Sequence, residues 1–200
     1  MMNPKLVQYL NEVHATEMAL VRTLEAHTAM APAGSYRRLL DAHLAETREH
    51  EALVRQRLIE VAGVGDIVQL GIGMVTDFAA QVLALSKAPI DLVRGTGGEE
   101  KLLKNAKDEC ASEALEIATY LAIEEMSRAL GDDSTAEMAA AIRADEERML
   151  QGLHTEIPNL TKSLLRASGA AVDGRRGTRA PAQRRSRPAA RRRSAAARRT

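Results

Sequence analysis

Apolar residues recur at alternating steps of four and three along four stretches of this chain. That spacing places them on one face of an α-helix, and such a face is normally buried against other helices. The stretches predict helices over about residues 4–30, 36–61, 99–131 and 135–156, the last with an apolar remainder toward residue 167. Asn3 and Pro4 support the first start, because Asn is a good N-cap and Pro a good first helical residue. The pattern therefore predicts an all-helical protein.

Polar side chains interrupt each of these apolar stripes. The first stripe is Leu6, Leu10, Val13, Glu17, Leu20 and Leu24, and the second is Leu39, His43, Glu46, His50 and Leu53. The third is Leu102, Ala106, Glu109, Glu113, Glu116, Tyr120, Ile123 and Leu130, and the fourth is Met138, Ile142, Glu146, Met149 and Leu153. A carboxylate inside an apolar face is costly unless a partner compensates it. Carboxylates on all four helices are hard to attribute to chance, and a cation held between the helices would compensate them.

The lengths of the connections predict how the helices are arranged. Short links join the first helix to the second and the third to the fourth, whereas residues 62–98 separate the second from the third. One long crossover between two helical hairpins is typical of a ferritin-like four-helix bundle. The apolar run Ile67–Ser86 predicts an extra helix within the crossover. We therefore expect one bundle domain over residues 1–167 and a disordered basic tail over 168–200.

Composition favours the same class of protein. Hydrophobic residues make up 45% of the chain and aromatic residues only 2%, a balance that suits helix bundles better than sandwiches or barrels. Cys110 is the only cysteine, which excludes an intrachain disulfide and favours a reducing cytoplasm. The N-terminus lacks the apolar core of a signal peptide, and Asp77 makes the run at 67–86 a poor membrane span. We expect a cytoplasmic protein without a membrane span.

The segments that carry the carboxylates resemble those of a known family. The run Glu113-Ala-Leu-Glu116-Ile-Ala-Thr-Tyr120 resembles the third helix of the ferritin-like DUF892 (YciE/YciF-like) proteins. His43-x-x-Glu46-Thr resembles their second helix. The surroundings of Glu17 and the Glu146–Glu147 pair resemble their first and fourth helices.

The resemblance covers about residues 5–61 and 99–156. It implies a ferritin-like fold, a stress-associated role and a similarity to di-iron carboxylate proteins. Di-iron bundles use Glu-x-x-His on two helices, whereas here Glu46 and His50 are four apart and no His follows Glu146 at three. A single ion, or one weakly held metal of two, is therefore an alternative to a complete di-iron site.

Side chains from all four helices form the predicted metal site. The candidate ligands, which would also be the catalytic residues, are Glu17, Glu46, His50, Glu113, Glu116 and Glu146, with one or both of the pair on the third helix involved. Carboxylates combined with imidazole suit iron and manganese and also tolerate zinc. Two bridged ions could oxidise Fe(II) with O2 or peroxide. The alternative is a metal-free buried network in which protonated carboxylates pair with histidines and Tyr120.

Other polar residues in or near the stripes are expected to lie outside the set of metal ligands. We expect His43 to support a ligand or to lie at a bundle end, and Tyr120 to be a core side chain hydrogen-bonded to a ligand carboxylate. Glu109 is expected nearer to solvent than Glu113, since it lies a turn away from it. The remaining predictions are surface positions for His14, His27 and His154, and a small core residue at Cys110.

The C-terminal segment differs in charge from the rest of the chain. Residues 174–200 hold 11 arginines and no acidic residue, so residues 1–173 keep 17 of the 28 basic side chains and all 27 acidic ones. Such a segment cannot bury enough apolar area to fold, and its arginines suit the phosphates of nucleic acid. They are Arg175, Arg176, Arg179, Arg184, Arg185, Arg187, Arg191, Arg192, Arg193, Arg198 and Arg199. The alternatives are a solubilising tail, contact with the acidic body of a neighbouring copy, and an anionic membrane surface.

Together these features predict a homo-oligomeric protein that handles Fe(II) or peroxide close to nucleic acid under stress. The competing prediction is a non-catalytic oligomeric bundle that only presents its basic tail to DNA or RNA. Metal content distinguishes the two, because only the first requires an ion inside the bundle.

Overall fold

The computed structural model describes residues 3–62 and 98–169, and all regular structure within them is helical. The helices are α1 (Pro4–Met30), α2 (Ser35–Ala62), α3 (Gly98–Leu130) and α4 (Asp133–Ala167). They confirm the predicted all-α four-helix architecture. The predicted extra helix of the crossover and the predicted disordered tail lie outside the described residues. Among these four helices, none is long and apolar enough to cross a membrane.

Local side chains set the ends of the helices. Asn3 caps α1 as predicted, its Oδ1 accepting a hydrogen bond from the backbone N–H of Lys5 at 2.9 Å. Asp132 caps α4 in the same way and accepts from the N–H of Thr135 at 3.1 Å. Gly131, just before this cap, has a φ of 73°, a left-handed conformation that glycine adopts without strain. A tight turn therefore joins α3 to α4.

The fourth helix is longer than the predicted 135–156 segment and passes through Pro158. Proline lacks the N–H that would bond to the carbonyl of His154, four residues earlier. Both residues are exposed, so water can satisfy the freed carbonyl. The helix therefore continues to Ala167, and Leu160 beyond the proline is buried in the core.

Side-chain contacts establish that packed neighbours run antiparallel. α1 packs against α2 and α3, and α4 packs against α3 and α2. His27 near the end of α1 contacts Glu109 near the start of α3, and Arg57 near the end of α2 contacts Asp132 before α4. α2 and α3 consequently point the same way, so the end of α2 and the start of α3 lie at opposite ends of the bundle, about 40 Å apart. This confirms the predicted single long crossover.

Two apolar clusters fill the bundle on either side of its middle. One contains Leu6, Val7, Leu10, Val13, Val54, Leu58, Tyr120, Ile123, Ala139 and Ile142. The other contains Leu24, Ala31, Tyr36, Leu40, Leu44, Leu102, Ala106, Met149, Leu153 and Leu160. The layer between them holds buried carboxylates and histidines, so the two apolar clusters enclose a polar layer.

The predicted stripes of α1, α3 and α4 are buried or packed against this core, except for Leu130, which is 45% exposed. The prediction for α2 was wrong in part, because Leu53 is 47% exposed and Glu46 is half-exposed. Its buried face is instead Tyr36, Leu40, His43, Leu44, Thr47, His50, Val54 and Leu58. At both ends of the predicted stripe the next residue is also apolar, because Leu40 follows Leu39 and Val54 follows Leu53. The four-three spacing alone was therefore compatible with two buried faces of α2 about 100° apart.

Candidate metal centre

Six ionisable side chains from all four helices meet between the two apolar clusters. They are Glu17 from α1, His43 and His50 from α2, Glu113 and Glu116 from α3, and Glu146 from α4, each at most 3% exposed. We call this set the central cluster. Each member occupies a position on the buried face of its helix, so the helical repeat brings them to the same layer.

Glu17, His50 and Glu146 form the first group of candidate ligands, with one ligand atom of each within 4.8 Å of the others. Nδ1 of His50 lies 2.9 Å from Oε1 of Glu146 and 4.0 Å from Oε1 of Glu17. Three helices, α1, α2 and α4, therefore converge on this point.

His43, Glu113 and Glu146 form the second group, also with ligand atoms within 4.8 Å of one another. Nε2 of His43 lies 3.2 Å from Oε1 of Glu113 and 3.6 Å from Oε2 of Glu146. Glu146 thus belongs to both groups and directs one oxygen to His50 and the other to His43. A carboxylate in this position is suited to bridge two ions.

Many oxygens of the central cluster lack hydrogen-bond partners among the described residues. They are both carboxylate oxygens of Glu113 and of Glu146, Oε2 of Glu17 and Oε1 of Glu116. Even the close approach of His50 to Glu146 does not have the direction of a hydrogen bond. Buried polar atoms are normally paired, and an unpaired one costs about 1–3 kcal/mol. A purely hydrogen-bonded network would leave few such atoms, so these residues could hold a metal ion and fit one well.

Burial perturbs the protonation of the carboxylates. It raises the pKa of Glu17 to about 8, against the opposing effect of His50. Burial also raises the pKa values of Glu113 and Glu116 well above the ordinary range, with Glu146 adding to the rise at Glu116. Glu146 differs, because contacts with His50, Glu113 and His43 outweigh its burial and hold its pKa below the ordinary value. Within the central cluster, Glu146 is therefore the carboxylate whose surroundings favour the ionised form.

The two histidines have raised pKa values. Burial disfavours the charged imidazole, but the nearby carboxylates of Glu113, Glu46 and Glu146 outweigh it at His43. Contacts with Glu146, Glu17 and Asp145 do the same at His50. Metal ligands must be unprotonated imidazoles and carboxylates, so metal binding here would release protons from the central cluster.

Tyr120 is fully buried, and its hydroxyl donates a hydrogen bond to Oε1 of Glu17. Burial and the charges of Glu17 and Glu116 raise its pKa, so the phenol stays protonated and remains a donor. This is the position expected for it, a core side chain bonded to a candidate ligand. The other carboxylate oxygen, Oε2 of Glu17, has no hydrogen-bond partner among the described residues.

A surface carboxylate lies behind each histidine of the central cluster. Nε2 of His50 is hydrogen-bonded to Oδ2 of Asp145 at 3.2 Å, so the ring faces the first group with Nδ1. His43 has the opposite orientation, with Nε2 toward Glu113 and Nδ1 3.7 Å from Oε2 of Glu46. That last distance is an ion-pair contact, too long for a direct hydrogen bond. Outer partners of this kind fix the tautomer and orientation of metal-binding histidines.

Glu46 and His43 have therefore exchanged the positions expected from the sequence. Glu46 was a candidate ligand, but it is half-exposed and lies outside both groups. His43 was expected in a supporting role, yet its Nε2 belongs to the second group. The cause is the rotated face of α2, which turns Glu46 toward solvent. Asp145 was missed, although its place directly before Glu146 on α4 was a usable signal.

His27, a predicted surface residue, is buried instead. It is 3% exposed, and its Nδ1 is hydrogen-bonded to Oε1 of Glu109, which is 2% exposed against 0% for Glu113. The prediction for His27 was wrong because the α1 stripe continues beyond Leu24 by one more step of three, and Glu109, expected nearer to solvent, is nearly as buried as Glu113. His14 is partly buried and bonded to Glu51 at 2.9 Å. His154 is exposed as predicted, and Cys110 is partly buried against the second apolar cluster.

The fold and this centre together define an all-α four-helix bundle with buried carboxylate–histidine groups that could hold a metal ion. Two solved structures share the fold. A protein from Xanthomonas campestris is 19% identical with a TM-score of 0.63, covering 83% of this chain and 97% of its own. The Escherichia coli stress protein YciF is 17% identical with a TM-score of 0.57, covering 81% and 99%.

At these identities the similarity shows the fold alone. No protein-family model matches the sequence, and no curated protein is significantly similar to it. The YciF-like fold agrees with the resemblance seen in the sequence, while membership of the DUF892 family stays a prediction.

Proposed function

We propose that this protein is a di-metal carboxylate protein that binds two iron or manganese ions in its central cluster. The observation that carries the proposal is the set of buried carboxylate oxygens that have no hydrogen-bond partner within residues 3–62 and 98–169. The shared position of Glu146 supports two ions rather than one, because its two oxygens face different histidines. Carboxylate and imidazole ligands favour iron or manganese and also accept zinc.

The chain's own residues have distinct tasks in this proposal. The first group would hold one ion and the second group the other, with Glu146 between them. Glu116 lies beside both groups with one free oxygen and would complete either coordination shell. Tyr120 orients Glu17 through its hydrogen bond. The apolar clusters on either side keep bulk water away from the polar layer.

The proposed reaction is the oxidation of Fe(II) by peroxide or O2. Two bound Fe(II) ions would each supply one electron, and with two protons these electrons reduce one H2O2 to two waters. The similarity in fold to YciF, described as an E. coli stress protein, makes a stress-associated role part of the proposal.

Peroxide reduction tests the proposed reaction. Under anaerobic conditions, the Fe(II)-loaded protein should consume H2O2 in the ratio of one to two Fe(II), and faster than free Fe(II) in the same buffer. Glu146→Gln should lose the acceleration, while Glu137→Gln, at an exposed position of the same helix, should keep it. If the wild type reacts no faster than free Fe(II), the proposed reaction is refuted.

We also propose that residues 174–200 bind nucleic acid, which would bring iron and peroxide handling close to DNA or RNA in the cytoplasm. The 11 arginines without an acidic residue support this partner. Contacts between arginine and phosphate weaken steeply as the salt concentration rises. Residues 174–200 contain no aromatic side chain that could stack on a base. Binding should therefore be independent of base sequence.

Tail deletion tests this second proposal. Removing residues 174–200 should abolish salt-sensitive retardation of duplex DNA. Replacing Arg191, Arg192 and Arg193 by Gln should lower the salt slope of log K by about 2 to 3. Equal DNA binding by the truncated chain would overturn the proposal. A chain that binds DNA but no metal would instead support the non-catalytic bundle.

A further inference from the structure

A second buried polar pair, His27 of α1 and Glu109 of α3, lies beyond the central cluster. The two are hydrogen-bonded and at most 3% exposed. Each follows an apolar core residue by one helical turn, Leu24 and Ala106 respectively. Burying two ionisable side chains costs desolvation free energy that their contact commonly does not return. The stability of the bundle therefore does not account for the pair.

The pair is aligned with the carboxylates of α3 that lead into the central cluster. Glu109, Glu113 and Glu116 occupy successive positions on one helical face, which places Glu109 about 6 Å along the helix axis from Glu113. After burial and the nearer carboxylates, the Glu109 charge also raises the pKa of Glu116. Glu109 is thus within electrostatic range of the central cluster.

Two buried hydroxyl groups near the pair have no hydrogen-bond partner among the described residues. They belong to Tyr36, which is 5% exposed, and to Thr28, which follows His27 in sequence and is 6% exposed. Burial and the neighbouring Glu109 carboxylate raise the pKa of Tyr36, so the phenol lies close to that carboxylate. Buried polar atoms are normally paired, and coordination of a passing cation would account for these unpaired oxygens.

Among the residues that the structure describes, Tyr36 also lines a cleft at this end of the bundle. The cleft has a volume of about 210 Å³ and lies between the α1–α2 turn, the start of α3 and the later part of α4. The carboxylates of Glu99 and Glu156 contribute to its wall. Polar groups therefore follow one another inward, from the two cleft carboxylates to Tyr36 and then to Glu109 with His27.

The opposite end of the bundle is built differently. Leu10, Val13, Val54, Ile123 and Ile142 lie between the central cluster and that end, each at most 1% exposed. A cation that crossed this layer would lose its water without gaining a ligand. Buried polar residues lie toward that end as well, but the carboxylate among them, Glu124, is ion-paired with Arg128 and Arg143, whereas Glu109 is bonded to a histidine. This difference favours access through the cleft.

We infer that the His27–Glu109 pair is a transit site through which divalent cations pass from the cleft to the central cluster. The inference rests on the proposed metal-binding function. Glu109 replaces part of the hydration shell of the ion, and His27 holds that carboxylate in place while the site is empty. The Glu99 and Glu156 carboxylates attract cations to the cleft.

The flank between α2 and α4 is the competing path. Glu46 and Asp145 lie there, outside the histidines, and Arg148 contacts both, with Nη2 3.7 Å from Oε1 of Glu46 and an ion pair to Asp145. A positive charge at this position repels incoming cations. If ions entered through the flank, Arg148→Gln would accelerate their uptake.

Stopped-flow uptake of Co(II), followed by its visible absorption, distinguishes the two paths. Glu109→Gln keeps the shape of the side chain and removes its charge, and it should slow uptake by about tenfold or more. The equilibrium stoichiometry should match the wild type. Tyr36→Phe, which removes only the hydroxyl, should slow uptake as well. Arg148→Gln should leave the rate unchanged, and thermal melting verifies that each variant is folded.

An unchanged uptake rate in folded Glu109→Gln and Tyr36→Phe, at full stoichiometry, would overturn the transit site and leave the metal centre intact. Acceleration in Arg148→Gln alone would also overturn it, in favour of the flank. If the wild type binds no Co(II) at equilibrium, the metal centre and the transit site both fail.

Discussion

Each histidine of the central cluster has a surface carboxylate behind it, but only His50 is hydrogen-bonded to its own. His50 presents Nδ1 to the first group because Asp145 binds its Nε2, and His43 presents Nε2 because Glu46 lies on its Nδ1 side. The sequence predicted that a histidine of α2 would face the centre. It could not predict which ring nitrogen does so, because that depends on a partner from another helix.

Asp145→Ala should weaken metal binding without changing the number of ions bound. Loss of the outer hydrogen bond frees the ring of His50, and such losses lower metal affinity by about 10- to 100-fold. Isothermal titration with Mn(II) measures the effect. Glu137→Ala, at an exposed position of the same helix, is the matched control. Equal affinities for the two variants would contradict this account of Asp145.

At the scale of single elements, the buried faces of α1 and α3 were predictable and that of α2 only in part. On α1 and α3 the neighbouring helices bury the predicted stripe, so the four-three spacing identified Glu17, Glu113 and Glu116 as buried. On α2, leucine or valine occurs at the predicted stripe and one residue further along. Packing against α4 selects between them, and that information is not local to the helix.

The turn between α3 and α4 also depends on a distant partner. Asp132 accepts hydrogen bonds from the N–H and hydroxyl of Thr135 at 3.1 and 2.6 Å and from Arg57 of α2 at 2.5 Å. It therefore caps α4 and ties this turn to the end of α2. Arg57 and Thr135 hold the pKa of Asp132 below its ordinary value, against the opposing effect of burial.

Asp132→Ala should lower the free energy of unfolding by about 1–3 kcal/mol, since it removes a cap and an interhelical contact. Urea denaturation provides the measurement. Asp133→Ala changes an exposed residue of the same charge one position later and should cost much less. A loss of similar size in both variants would mean that general charge effects, rather than the cap, stabilise this turn.

At the scale of the whole molecule, the long link at 62–98 predicted the single crossover. The carboxylates within the apolar stripes of all four helices predicted the buried polar layer. The His27–Glu109 pair was not predicted, because a histidine one step beyond an apolar stripe is also typical of a frayed helix end. Only the opposing helix shows that it is enclosed.

The metal-free protein should lose stability as pH rises. Glu17 has a pKa near 4.5 when unfolded and about 8 when folded, so between these values the folded state holds a proton that the unfolded state has lost. This contribution falls by up to about 1.4 kcal/mol per pH unit. His43 and His50 act in the same direction, because their raised pKa values stabilise the fold most at low pH.

Urea unfolding of chelator-treated protein at several pH values between 5 and 8.5 tests this dependence. Glu17→Gln removes one titrating group and should flatten the curve. Metal should have the opposite effect, stabilising the protein more at high pH, because binding competes with protons. Stability that increases with pH in the metal-free protein would contradict the protonation states assigned here.

The central claim is that the polar layer binds two metal ions, one at each group of candidate ligands, and that Glu146 belongs to both groups. Equilibrium dialysis of the chelator-treated full chain against Fe(II), under anaerobic conditions, measures it most directly. The two groups predict two ions per chain for the wild type and a loss of at least one in Glu146→Gln. Binding well below one ion per chain in the wild type, unchanged in Glu146→Gln, would contradict the claim.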